Sequence, residues 1–106
     1  MGLAQKGSLM HPKQWPATID EAAGVVIAAL PAAQAAKIAA MAESELTHLH
    51  FGLGMWIRNN LGLWQGNDAL MQALRAREPG LHPDDASTLV IEQVWRRLRE
   101  MTPKVH

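Results

Sequence analysis

His50-Phe51-Gly52-Leu53-Gly54-Met55-Trp56-Ile57-Arg58-Asn59-Asn60-Leu61-Gly62-Leu63-Trp64 is the stretch on which the reading of the whole chain turns. Residues four apart on a helix share a face, so a helical reading stacks His50, Gly54 and Arg58 one above the other. Leu49, Phe51, Leu53, Met55, Trp56 and Ile57 flank that stripe. A helix that is apolar nearly all round belongs in a core. Two groups able to carry charge are costly there unless they find partners. The stretch therefore predicts a buried central helix over about residues 45–60, with His50, Gly54, Arg58 and Asn59 as a motif that must be satisfied by the rest of the fold.

Working outward, the neighbouring segments also read as helices. Thr18 followed three residues later by Glu21 has the form of a capping box, opening a helix through Val25, Val26, Ile27 and Leu30. Pro31 either begins a second short helix or kinks the first, because proline is tolerated at a first helical position but not inside. The alanine-rich run from Ala32 to Met41 has high helix propensity and reads as a thin core helix. Glu43 and Glu45 suit the positive end of the central helix, while Asn59, Asn60 and Gly62 supply its stop. Leu61 to Gly66 reads as a loop tucked onto the domain by its leucines and Trp64.

Asn67 is a natural N-cap for a helix that turns Leu70, Met71 and Leu74 inward. Glu78-Pro79-Gly80 ends it. His82-Pro83-Asp84-Asp85 opens the last helix, with proline first and two carboxylates at the positive end of the dipole. Ile91, Val94, Trp95, Leu98 and Met101 make its apolar stripe. No alternating run of β-branched residues suggests a strand. The expected fold is all-α: a compact bundle of four or five helices around the 45–60 segment. Residues 1–14 read as a flexible lead-in, 15–102 as a single domain and 103–106 as a short tail.

Composition narrows the class further. The 106 residues are 48% hydrophobic and 19% charged, with formal net charge zero. That length suits one domain with one core. Neutrality disfavours a protein that coats nucleic acid or anionic lipid. Absence of cysteine removes disulfides, thiolate nucleophiles and thiolate metal sites together. Met1 to Met10 holds no apolar core of a secretory signal. The longest apolar window, Ala22 to Ala42, is broken by Gly24, Pro31, Gln34 and Lys37, so no membrane span is expected. The expected location is the cytoplasm.

Trp15-Pro16, then His50, Gly54, Arg58 and Asn59, then Leu63-Trp64, then His82-Pro83-Asp84-Asp85-Ala86-Ser87 make up a W-P…H-x3-G-x3-R-N…L-W…H-P-D-D pattern. In this pattern the chain resembles a family of small bacterial and phage helical proteins of unknown function, over about residues 15–100. The resemblance implies no reaction. Through the mobile and phage-associated regions in which such genes often occur, it implies a role in host–phage conflict.

Two readings compete for His50 and Arg58. As chemistry, they are a general acid or base beside a guanidinium that binds a phosphate-bearing substrate. As architecture, Arg58 pairs inside the fold with Asp84, Asp85 or Glu45 and with carbonyls at helix ends, and His50 bonds across the bundle. The architectural reading is preferred, because no nucleophile, phosphate loop or second base accompanies the pair. Gly52 and Gly54 cost about 0.8–1.0 kcal/mol each inside a helix, which suits close approach of the Ala36–Ala40 segment better than a ligand gap. Asn59 and Asn60 read as helix closure.

No metal is expected. His48 and His50 lie two residues apart and diverge on a helix, and His82 with Asp84 lacks a third ligand. No cofactor fingerprint is present. Arg96, Arg97 and Arg99 form the basic cluster, diluted by Glu92 and Glu100; a solvated helix end is preferred to a nucleic-acid site. Trp56 and Trp95 sit at core positions. Trp15 and Trp64 lie in irregular segments, where an exposed tryptophan would anchor a partner. The expected function is a non-enzymatic protein-binding module, an inhibitor or neutralising partner for a bacterial or phage protein. The alternatives are a small enzyme using His50 and Arg58, and a nucleic-acid binder using the three arginines.

Overall fold

A computed structural model of the protein describes residues 15–101. The expectations for residues 1–14 and 103–106 lie outside the described residues. Five α-helices follow one another: α1 (Ile19–Ala29), α2 (Ala32–Ala40), α3 (Leu53–Asn60), α4 (Asp68–Arg77) and α5 (Pro83–Met101). A 3-10 helix, Glu43–Leu49, lies between α2 and α3. No strand occurs among the described residues, and the fold is all-α. None of the described helices is long and apolar enough to cross a membrane.

Local chemistry sets most boundaries. Thr18 Oγ1 accepts the Glu21 amide at 3.0 Å and opens α1. Glu21 Oε1 accepts in return from Ala17 N–H at 3.0 Å, one residue before the cap. One amide of the first turn and the amide just ahead of the cap are thus satisfied. Leu30 leaves the helix, and Pro31 at φ −61°, ψ 149° starts α2 instead of kinking α1. Asn67 caps α4 through Oδ1, which accepts the Leu70 amide at 3.2 Å.

The centre of the bundle is α5, which touches each of the other five helical elements. It buries Ala86, Ser87, Val90, Ile91, Val94 and Leu98, while Trp95 is half-buried and Met101 exposed. Ile19, Ala22, Ala23 and Val26 of α1 meet it. The alanine-rich α2 buries only Ile38 and leaves Ala32, Ala33, Ala36 and Ala40 exposed, so it is a peripheral helix and not a thin core one. Trp95 Nε1 donates to Met41 O at 2.9 Å and pins the end of α2 to α5.

Residues 45–60 do not form one rod. The 3-10 helix ends at His50, the chain turns through Gly52 at φ −88°, ψ −83°, and α3 begins at Leu53. Gly52 and Gly54 weaken a continuous helix here, and Arg58 holds the carbonyl at the break. As a result α3 is buried on one face only, through Leu53, Gly54, Ile57, Arg58 and Asn60.

The loop after α3 locks the start of the domain. Gly62 has φ +76°, and a Cβ there would lie 2.6 Å from Trp15 Cε2, so the indole lies flat against a residue that must be glycine on both counts. Asn67 Nδ2 donates to Pro16 O at 2.9 Å and to Leu61 O at 2.7 Å, tying the same two strands of chain together. Leu61 and Leu63 are buried beneath it, whereas Trp64 is exposed, correcting the expectation that all three tuck inward. Gly62→Ala should lower stability by about 1–3 kcal/mol, the scale of a strained backbone position, and red-shift Trp15 fluorescence. In urea melts Gly66→Ala, with φ +100° but nothing within 4 Å, should cost less.

Candidate functional site

Arg58 is the charged group that the fold encloses most completely, 6% exposed. Its Nη1 donates to Ser87 Oγ at 2.9 Å, and Ser87 Oγ donates on to Asp84 O in the first turn of α5 at 3.0 Å. Nη2 reaches the His50 carbonyl at 3.3 Å. Asp84 Oδ1 stands 3.8 Å from Nε, and that carboxylate is half-exposed. Hydrogen bonds to a buried hydroxyl and a carbonyl therefore hold the guanidinium more firmly than a solvent-screened ion pair can.

Gly54 makes this possible. A Cβ at that position would lie 3.1 Å from Arg58 Nη1, 3.4 Å from Leu49 O and 3.4 Å from Ser87 Oγ. The glycine admits the guanidinium and the serine, not the Ala36–Ala40 segment. Gly52 has nothing within 4 Å of a Cβ and is exposed. Motif residues His50, Gly54 and Arg58 do meet, but it is the backbone of His50 that serves the arginine. The His50 ring is half-exposed and stands edge-on to Phe51, centroids 5.1 Å apart. Asn59 is exposed, and Asn60 closes α3 through Nδ2 to Trp56 O at 3.0 Å. Trp56 Nε1 and Asn60 Oδ1 are buried without a hydrogen-bond partner among the described residues.

Chemically, the guanidinium is 6% exposed and spends one N–H each on Ser87 Oγ and His50 O, so little of it faces solvent. Neither His50 nor Arg58 lines the groove of about 630 Å³ that opens between α2 and the 3-10 helix. His48 does line it. Among the described residues no group of three or more His, Cys, Asp or Glu is placed to hold a metal ion. His82 Nδ1 accepts the Asp84 amide at 3.1 Å, so its 4.0 Å approach to Asp84 Oδ2 is an ion pair only when that nitrogen carries a proton.

The arginines of α5 diverge. Arg97 Nη1 donates to Asp20 O of α1 at 2.9 Å, Arg99 lies 4.8 Å over the Trp95 ring, and Arg96 is exposed. Trp15 is packed on Gly62, while Trp64 is 52% exposed with its ring edge-on to His82 at 5.5 Å. Sequence reasoning missed the most exposed aromatic, Phe51, at 78%, and Met55, at 47%. The signal was the Gly52 beside Phe51, which marks a turn as readily as a close helix contact.

These features define a small helical domain whose buried arginine is hydrogen-bonded within the fold and whose aromatic turn faces outward. The chain belongs to the family described as a domain of unknown function (DUF6794), which matches residues 15–98. No curated protein and no solved structure is similar enough to count as a match.

Because Ser87 is buried and Asp84 is not, the two should contribute unequally. Ser87→Ala leaves a buried guanidinium N–H unpaired and should cost about 1–3 kcal/mol. Asp84→Asn should cost less than about 1 kcal/mol. Arg58→Ala, which also opens a cavity, should cost about 2–5 kcal/mol. Urea denaturation of the three variants gives the order; an Asp84→Asn loss equal to that of Arg58→Ala would show the carboxylate to be the principal partner.

Proposed function

We propose that the protein is a non-enzymatic module that binds another protein through the turn before α3 and the outer face of that helix. The supporting observation is the exposure of Phe51 in the turn before α3 and of Met55 on that helix, whose opposite face is packed on α5. Large apolar side chains presented together without cover are the usual anchors of a protein interface. Trp64 adds a second exposed anchor beyond the other end of α3.

The partner we propose is a bacterial or phage protein in the cytoplasm, with this chain acting as an inhibitor or neutralising component in a host–phage conflict. A stoichiometric inhibitor needs a docking face and no reaction centre, which agrees with a guanidinium engaged at Ser87 and His50 O. The rival nucleic-acid reading has less support, because Arg97 and Arg99 are occupied within α5's own surroundings.

Affinity purification from a bacterial lysate, followed by sizing of the eluate, tests the reading. The intact chain should retain one protein at fixed stoichiometry. Phe51→Ser with Met55→Ser should lose it while keeping the same melting temperature, and an Arg96, Arg97 and Arg99 triple alanine variant should retain it. Equal capture by all three proteins, or nucleic acid in the eluate that salt removes, would reject the proposal.

A further inference from the structure

The groove between α2 and the 3-10 helix is a second site, whose lining does not include Phe51 or Met55. It has a volume of about 630 Å³, within the range of small-molecule pockets. Leu30 from the end of α1, Ile38 and Met41 from α2 and its cap, and Leu49 and Leu53 across the break make an apolar floor. Gly52, at the break, lines the wall with no side chain, and nothing lies within 4 Å of its Cβ position.

The lip is polar and asymmetric. Gln34 and Lys37 are three residues apart on α2 and so share a face, with His48 contributed by the 3-10 helix. Each carries a group able to donate to an anion. Lys37 has no carboxylate partner among the described residues. Glu45, the acidic side chain of the lining, already has Oε1 occupied by the Ala42 amide at 2.8 Å. Lys37 favours an anionic head over a cationic or neutral one, and the Glu45 carboxylate, still charged, opposes it from the same lining.

We propose that this groove binds a single free amphiphile with a linear apolar body and one anionic head, its carboxylate at Lys37 and its chain over Ile38, Met41, Leu49 and Leu53. The groove is an open cleft walled by α2 on one side and the 3-10 helix on the other, a shape that takes a single chain between its walls.

Titration calorimetry with dodecanoate, kept below its micelle-forming concentration, tests the site. The protein should bind one equivalent saturably. Lys37→Glu should weaken binding by about tenfold, and Glu45→Gln should strengthen it. Ala40→Trp, at an exposed position on the groove wall, should abolish binding without loss of the folded state by circular dichroism. Dodecanol should bind more weakly than dodecanoate. Absent saturation, equal affinity of the Lys37→Glu variant, or equal affinity for dodecanol would overturn the proposal. So would co-sedimentation with phosphatidylglycerol vesicles that Ala40→Trp removes, since the ligand would then be a bilayer lipid.

Discussion

Enclosing one guanidinium governs the geometry of half of this domain. A buried cation is tolerable only if its donors are met, and Arg58 meets them with Ser87 Oγ, His50 O and the more distant Asp84 carboxylate. Each partner imposes a condition. Ser87 requires α3 to cross α5 at its first turns. The His50 carbonyl must point back at a residue eight positions later. Gly54 leaves room for both, since a Cβ would lie 3.1 Å from Nη1 and 3.4 Å from Ser87 Oγ, and the guanidinium would have to give way by a few tenths of an ångström.

From those conditions the surface follows. Ending the 3-10 helix at His50 turns Phe51 outward, and starting α3 at Leu53 leaves Met55 on the uncovered side. The same break opens the groove beside Gly52. Burial of charge on one side of α3 and exposure of apolar groups on the other are thus linked by a single backbone feature. This inversion of the usual pattern is uncommon enough to be informative: the polar residue inside and the large apolar residues outside are both what a simple hydrophobic ordering would not place there.

Legibility differed from element to element for physical reasons. Thr18 and Asn67 accept amides three residues on and Pro83 presets its own φ, so the starts of α1, α4 and α5 could be read locally. The seat of Trp15 on Gly62 could not be read, because it joins residues far apart in sequence. The alanine run is helical as propensity demands, yet propensity says nothing about which helices become central. Within the candidate site, Asp84 could be named as one of three carboxylates near Arg58. Ser87 could not, because nothing local distinguishes a buried serine from an exposed one.

What the amino-acid order settled by itself was the all-α class, the places where most helices begin, and the need for Arg58 to have partners. Those rest on caps, periodicity and desolvation, each of which acts at short range or on a single group. Tertiary structure alone decided that α5 and not the 45–60 segment is the central element, and that the segment breaks at Gly52. A continuous helix and a broken one differ locally by little more than the cost of two glycines. Contacts with Ser87 and the rest of α5, more than twenty residues away along the chain, tip that small balance.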